Sequence, residues 1–364
     1  MRVACSSDTP DRIRAVTREP DAWNGEALYE RPDPETGATI LIALHSSRLG
    51  PASGGTRMKT YPDLEAARRD ARRLSEGMTY KWAAAGFPRG GGKAVLAVPA
   101  GLSAERRDGL LRRYGSFIQE LAGRFWTGAD VGTSARDMDV ISETGAPYVF
   151  SRTPAHGGAG DSSTWTALGV EAGLKTTCAR LFGGATSLSG RRIVVQGAGS
   201  VGGELIERLL AAGAAVAFSD VDATSVRRWR DDRGVAFVDP GRVLESSCDV
   251  LAPCALGGVL DAVTIPRLQC RAVAGAANNQ LAEPADAERL RDRGILYAPD
   301  FVINAGGAIG ITGQESLGWP EEKARGEVLR IGETLGHVYD LAEASGITTD
   351  AAARRIAEEQ LGRA

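Results

Sequence analysis

Apolar positions along the chain change their period as the chain proceeds. Ala38–Leu44 (ATILIAL) is a near-continuous apolar run that predicts a buried strand, closed by the turn Leu49-Gly50-Pro51. From Pro62 onward Leu64, Ala67, Ala71, Leu74 and Met78 recur at helical spacing, so a helix is expected to run into Lys81. Gly90-Gly91-Gly92 is expected to break the chain before a strand at Ala94–Val98, and a second amphipathic helix follows at Glu105–Leu121 with Leu110, Tyr114, Phe117 and Leu121 on one face. Beyond a Gly-rich linker (Gly157–Ser163) and a helix at Thr164–Leu181, short buried strands alternate with loops and helices: Arg191–Gln196, Ala215–Ser219, Asp249–Ala252 and Ala272–Ala274. That alternation predicts a doubly wound parallel sheet. After Asn304 the chain reads as helical, with a stripe of Val328, Ile331, Leu335, Val338 and Leu341 and a last short helix capped by Thr349-Asp350.

These patterns divide the chain into two α/β domains. Residues 1–155 form a mixed α/β unit and residues 156–324 the parallel-sheet unit, with the helices at about 325–364 expected to pack back on the first and leave a cleft between the two. The chain has 364 residues, 43% of them hydrophobic and 24% charged, the balance of an ordinary globular protein. No apolar run approaches the roughly 20 residues a membrane helix needs, and Met1–Glu30 lacks a signal-peptide core, so no membrane partner and a cytoplasmic location are expected. Cys5, Cys178, Cys248, Cys254 and Cys270 form no CxxC pair, and His45, His156 and His337 sit in no metal motif, so no metal is expected. A net charge of −3 without a long basic run argues against nucleic acid. Of 43 basic residues only five are lysine (Lys59, Lys81, Lys93, Lys175, Lys323). Where arginine is the default cation, a retained lysine draws notice because burial can lower its pKa.

Two segments carry chemistry. Gly197-Ala198-Gly199-Ser200-Val201-Gly202 follows a predicted strand and opens a helix, and Asp220 stands at a strand end 18 residues after Gly202. In that context the glycines permit a tight turn with backbone N–H groups facing a pyrophosphate, and the acid would accept the adenosine ribose hydroxyls. NAD is the expected cofactor; Asp222 is a weaker ribose candidate, and Arg227 and Arg228 leave a route to NADP. The other segment is Met78–Val95 (MTYKWAAAGFPRGGGKAV), where Lys81 and Lys93 are separated by small and apolar residues with no acid among them. Such surroundings should lower an ammonium pKa toward that of a general base. Asp130, in Trp126-Thr127-Gly128-Ala129-Asp130-Val131-Gly132-Thr133, is a candidate proton shuttle or counter-ion; taken alone, these residues suit catalysis and structural ion pairing equally.

The chain resembles the Glu/Leu/Phe/Val amino acid dehydrogenase family, with its branched-chain and aromatic members close and phenylalanine dehydrogenase nearest. The shared segments are Gly54-Gly55-Thr56-Arg57, Met78–Lys81, Gly90–Lys93, Asp130-Val131, Ala252-Pro253-Cys254-Ala255, Gly275–Gln280 (GAANNQ) and Tyr297–Gly307 (YAPDFVINAGG), spread over about Leu41 to Leu361. The resemblance implies an N-terminal substrate-binding and oligomerisation domain, a Rossmann NAD-binding domain, and a homo-oligomer. It implies the reversible conversion of an L-amino acid, NAD and water into the 2-oxo acid, ammonia and NADH. By position, Lys81 would bind the substrate carboxylate, Lys93 would activate water, and Asp130 would relay protons. Gly54, Gly55 and Asn279 would shape the substrate end, while Ala276, Asn278, Asn304 and Thr166 would lie along the cofactor.

By the same resemblance the side-chain pocket would be lined by Ser53, Gly128, Ala308 and Ile311. Small residues at the first three positions widen it and suit an aromatic ring. Phenylalanine is the expected substrate. The segment Gly157–Ser163 and Gly132 point instead toward valine or leucine, and the same widening would admit tryptophan. From a different class, a silent NAD-binding module would be expected to have lost Lys81, Lys93 or Asp130, and all three are present. Cys254 reads as a small buried residue, and Trp82 and Trp126 as packing, with Trp165 beside Thr166 at the edge of the site.

Overall fold

A computed structural model describes residues 23–363 together with the short strand Arg14–Ala15; Cys5 lies outside the described residues. The chain divides into two compact units, one holding the described residues up to Thr79 and Arg89–Val149, the other Tyr80–Pro88 and the described residues from Phe150 onward.

The first unit is a six-stranded mixed sheet. Its strands are β1 (Arg14–Ala15), β2 (Ala27–Asp33), β3 (Ala38–Ser46), β4 (Ala52–Lys59), β5 (Gly90–Ala97) and β6 (Phe125–Ala129), in the order β1-β2-β3-β5-β4-β6. Strands β4, β5 and β6 run parallel, and the rest pair antiparallel. Helix α1 (Leu64–Ala84) covers one face, where Ala67 and Ala71 pack with Leu41, Ala43 and Val95. Helices α2 (Ala104–Glu120) and α3 (Ala135–Gly145) cover the other, packing Leu110, Tyr114, Phe117 and Ile141 on Ile40, Ile42 and Leu44. Cover on both faces explains why β3 reads as a continuous apolar run instead of an alternating one. The structure adds β2, β4 and α3, which the apolar pattern alone did not mark.

The three glycines expected to break the chain are in fact the first residues of β5. They are there because the strand is squeezed on both sides. A Cβ at Gly91 would lie 1.9 Å from Thr79 Oγ1 on α1, and one at Gly92 would lie 2.9 Å from the Phe125 ring.

The second unit contains the parallel sheet. Helix α4 (Ser163–Leu181) leads into β7 (Arg192–Gln196), α5 (Ser200–Ala211), β8 (Ala215–Ser219), the one-turn helix α6 (Ala223–Val226), β9 (Ala236–Phe237), β10 (Cys248–Pro253), β11 (Cys270–Val273), α7 (Ala285–Asp292) and β12 (Leu296–Tyr297). All neighbours pair parallel in the order β12-β11-β10-β7-β8-β9. Renumbered from β7, this is the 3-2-1-4-5-6 order of a Rossmann sheet, with the direction of winding reversing between β7 and β10. The linker turns through Gly157 and Gly160 at positive φ, and Asp161, just before the N-cap Ser162, accepts the Ser163 N–H at 2.8 Å.

Helices α8 (Asp300–Ile303), α9 (Gly306–Leu317), α10 (Glu321–Leu329), α11 (Ile331–Ser345) and α12 (Thr349–Arg363) complete the chain. The predicted apolar stripe is therefore split between α10 and α11. The last helix runs for 15 residues, so it is not short, and its cap is Thr348, whose Oγ1 accepts the Ala351 N–H at 3.1 Å. The C-terminal helices were expected to complete the first domain, but the structure groups them with the second unit. Glycines make this possible: Gly169 and Gly173 leave room on α4 for Ile331, Ile303 and Leu335, and Thr177 on α4 hydrogen-bonds Tyr339 on α11 at 2.8 Å. None of the described helices is long and apolar enough to cross a membrane.

Replacing Gly91 by Ala should cost about 2–3 kcal/mol, as overpacking against backbone atoms of α1 demands. Gly77, inside α1 with open space around it, should gain about 0.5–1 kcal/mol on the same change. Urea denaturation of the two variants checks both signs.

Candidate active site

Lys93 lies on β5 two residues from Gly91 and two from Val95, both of which face α1, so the two-residue period turns Lys93 to that face. It is 5% exposed, and a buried ammonium needs a partner. The partner is Asp130, whose Oδ2 lies 3.0 Å from Lys93 Nζ. Asp130 follows β6 in a loop pinned to β4. Met58 N–H donates to Val131 O at 2.9 Å, Thr133 Oγ1 donates to Thr56 O at 2.8 Å and accepts the Asp130 N–H at 3.0 Å, and Gly132 takes a positive φ of 82° under Met58 O. Gly55 makes the space, since a Cβ there would lie 2.8 Å from Asp130 Cβ.

A second cation shares the same carboxylate oxygen. Arg57 on β4 donates from Nε to Asp130 Oδ2 at 3.0 Å and from Nη1 to Asp70 Oδ2 at 3.2 Å. Tyr61 donates to that Asp70 oxygen at 2.7 Å, and Arg73 holds the other at 2.9 Å. Burial pushes the Asp130 carboxyl up, but the charges of Lys93 and Arg57 outweigh it and hold it down at about 2. Asp130 is thus an anion in the resting protein. Sequence reasoning quoted Arg57 only as part of a motif and missed Asp70 and Tyr61. The available signal was the two-residue offset that puts Arg57 on the same face of β4 as Gly55.

In the second unit, Lys81, near the end of α1, donates from Nζ to Asn304 Oδ1 at 2.7 Å. Asn304 in turn donates to Asn278 Oδ1 at 2.8 Å and to Ala276 O at 3.2 Å. Four residues singled out from sequence are therefore one chain of hydrogen bonds. Gln280, fully buried, staples their loop by donating to Gly275 O and Ala277 O. Asn279 turns the loop at φ 51° and stays exposed. Asp300 accepts the Gln280 N–H at 2.8 Å; burial raises its carboxyl above the ordinary 3.8, against the pull of Lys81. Thr166, in the first turn of α4, lies against the start of α9, where a Cβ at Gly307 would come within 2.4 Å of its Oγ1. Trp165 covers Gly310 in the same way.

The glycine loop fits a dinucleotide. Gly197 turns at φ 94°, and a Cβ at Gly202 would strike Gly197 O at 1.9 Å, so α5 sits tight on the loop. Gly199 and Ser200 are exposed, a Cβ at Gly199 would meet nothing within 4 Å, and no side chain caps the first turn of α5 that continues through Val201 and Gly202. An uncapped helix N-terminus of this kind suits a phosphate. Asp220 holds the loop by accepting the Ala198 N–H at 2.6 Å, with its second oxygen on the Asp222 N–H. Asp222 itself caps α6 through Ser225 N–H, which accounts for it as a structural residue.

The remaining candidates divide between the units. Ser53, Gly54, Gly55 and Gly128 belong to β4 and β6 of the first, with Gly55 and Gly128 opposite each other in register. Ala308 and Ile311 belong to α9 of the second. Burial pushes the Cys254 thiol up to about 12, unlike a nucleophile's. Among the described residues no group of His, Cys, Asp and Glu could hold a metal.

Residues 35–146 match the family described as Glu/Leu/Phe/Val dehydrogenase, dimerisation domain, and residues 221–361 match Glutamate/Leucine/Phenylalanine/Valine dehydrogenase. A leucine dehydrogenase of Thermoactinomyces intermedius is 42% identical over 94% of this chain and 92% of its own. A valine dehydrogenase of Streptomyces coelicolor is 43% identical over 94% of each. The crystal structure of L-tryptophan dehydrogenase from Nostoc punctiforme superposes with a TM-score of 0.78 at 38% identity, covering 94% of this chain and 96% of that one.

The raised Asp300 carboxyl has a consequence for stability. The folded protein binds this proton more tightly than the unfolded chain, so stability falls as pH rises above the ordinary 3.8. Asp300→Asn, which keeps an oxygen for Gln280 N–H, should raise Tm at pH 8 and leave it unchanged below about pH 4. Thermal melts of both proteins across that range check it.

Proposed function

The chain belongs to the Glu/Leu/Phe/Val dehydrogenase family, and from the residues it carries we propose that it oxidatively deaminates an L-amino acid with a large apolar side chain. The products are the 2-oxo acid, an ammonium ion, NADH and a proton, and the reaction is reversible. The observation that carries this reading is the buried Lys93–Asp130 pair at 3.0 Å, a base and a proton carrier held together. Lys81, fixed by Asn304, holds the substrate carboxylate. Lys93 takes a proton from water as it attacks the imine carbon, and Asp130 passes protons to and from the amino nitrogen. NAD on the glycine loop supplies the hydride acceptor, and Asp220 selects it over NADP because a carboxylate repels a 2′-phosphate. The first unit is assigned substrate binding and self-association, in keeping with the dimerisation domain it matches; the second is assigned the cofactor.

Phenylalanine is the proposed substrate, on the small residues Ser53, Gly128 and Ala308. A second reading, leucine or valine, is favoured by relatives of those names at 42% and 43% identity. Tryptophan is favoured by the likeness to the Nostoc enzyme. One apolar group more or less discriminates by only about 1–3 kcal/mol, so neighbouring substrates should be turned over as well.

NADH formation at alkaline pH with phenylalanine, tyrosine, tryptophan, leucine and valine, each with NAD and with NADP, ranks these readings. Phenylalanine with NAD should lead; a lead for leucine or valine overturns the pocket assignment and leaves the lysine chemistry standing. Lys93→Ala should lower turnover by about 100-fold or more while NADH still binds by fluorescence. Retained turnover overturns the role of Lys93.

A further inference from the structure

We propose that Glu315 is a positioning residue for side-chain selection: it ties the segment 151–159 against the face of α9 assigned to the substrate and makes that segment part of the pocket wall. The proposal rests on the reading of Ala308 and Ile311 as pocket residues. Its foundation is a buried anion spent entirely on one stretch of chain. The Glu315 side chain is 3% exposed. Its Oε1 accepts the Ser151 N–H and the Ala159 N–H, each at 2.9 Å. Its Oε2 accepts the Arg152 N–H at 3.4 Å and Arg152 Nε at 3.3 Å. These donors fill the roughly four acceptor directions of an ionised carboxylate, and Arg152 supplies the opposing charge. Glu315 therefore has no acceptor direction left for a substrate, and it acts through the segment it holds.

That segment is built as one piece. Ser151 takes a positive φ of 62°, a conformation that a side chain adopts only where its surroundings hold it. Gly158 N–H donates to Thr153 O at 3.0 Å and Gly160 N–H to Arg152 O at 3.2 Å, while a Cβ at Gly158 would lie 2.0 Å from Arg152 O. The loop is closed on itself, and both of its ends meet on one carboxylate. Where they meet is set by α9. Glu315 lies four residues after Ile311 and seven after Ala308, a spacing that puts all three on one face of the helix. The opposite face is taken up by packing: a Cβ at Gly310 would lie 2.5 Å from the Trp165 ring, and one at Gly313 would lie 2.4 Å from the Trp319 ring. The tied segment thus stands within one to two helical turns of the pocket residues, on the order of 5–10 Å. It includes the start of Gly157–Ser163, the stretch that resemblance had already linked to the choice of substrate. Without Glu315 both ends of the loop lose their anchor and the wall yields to a larger side chain.

The test is kcat and KM for valine, phenylalanine and tryptophan with Glu315→Ala, Glu315→Gln and the unchanged enzyme, with Ala308→Val alongside. Glu315→Ala should raise kcat/KM for tryptophan relative to valine by about tenfold, carried by KM, with kcat for phenylalanine within about threefold. NADH binding, read by fluorescence, should stay as it was. Glu315→Gln keeps one oxygen for Ser151 and Ala159 but turns an amide NH2 toward Arg152, so the ratio should rise by only about threefold. A purely structural tie would lower Tm and depress kcat/KM for all three amino acids alike; an unmoved ratio overturns the proposal. Should Glu315→Ala fail to fold, Glu315→Gln is read in its place, and there too an unmoved ratio overturns it. Ala308→Val narrows the pocket directly and should lower the same ratio. If it and the Glu315 variants all leave the ratio unmoved, the pocket reading of α9 falls and the proposal with it. If Ala308→Val alone moves the ratio, only the role of Glu315 falls.

Discussion

A buried ammonium is the constraint around which the first unit is built. Lys93 is 5% exposed in the middle of a sheet, where an unpaired charge would cost several kcal/mol. Everything nearby serves to bring a carboxylate to it. Glycines at 54 and 55 and at 90 to 92 thin the strands, so the Asp130 loop and α1 can close over them. The backbone bonds of Met58 and Thr133 fix the loop, and Arg57 and Asp70 extend the alternation of charge outward to the half-buried Tyr61. Such a chain is stable because each member is satisfied by the next; removing one strands its neighbours.

The second unit solves a different problem by similar means. Its parallel sheet offers a helix N-terminus at the point where the winding reverses, and small residues let the glycine loop and the loop after β10 approach each other: a Cβ at Gly197 would lie 2.7 Å from Ala255 Cβ. The Lys81–Asn304–Asn278 chain then ties the end of α1 to the loop after β11, with Gln280 keeping that loop in shape. The Asn304 amide holds the Lys81 ammonium by a hydrogen bond and brings no charge of its own.

How much of this was legible in the sequence follows from how local each signal is. The parallel sheet, its winding and the glycine loop could be read because short apolar strands, a GxGxxG and an acid at a strand end are all local patterns. Lys93 and Asp130 were found through their neighbours, yet their pairing depends on β4 lying between β5 and β6, a long-range fact that no spacing encodes. Asp130 could be named as a candidate counter-ion from its surroundings, while its contact with Lys93, 37 positions back, comes from the sheet order. A glycine triplet reads as a break because glycine usually marks turns; here it marks close approach, which is a property of the neighbours. The C-terminal helices were misplaced because an apolar stripe shows that a helix packs and not what it packs against. Glycines on α4 decide that, and they lie more than 150 positions away.

The scarcity of lysine has a use outside catalysis. Lys59, Lys175 and Lys323 are spent on outward contacts, with the Tyr61 ring, Glu171 and the Trp319 ring, while Lys93 is sealed inside and Lys81 is tied to Asn304. Amine-directed chemistry, such as coupling to a support or attaching a dye, therefore meets a surface on which nearly all the positive charge is inert arginine. It would fasten the described part of the chain at a few defined places and leave the buried Lys93 untouched.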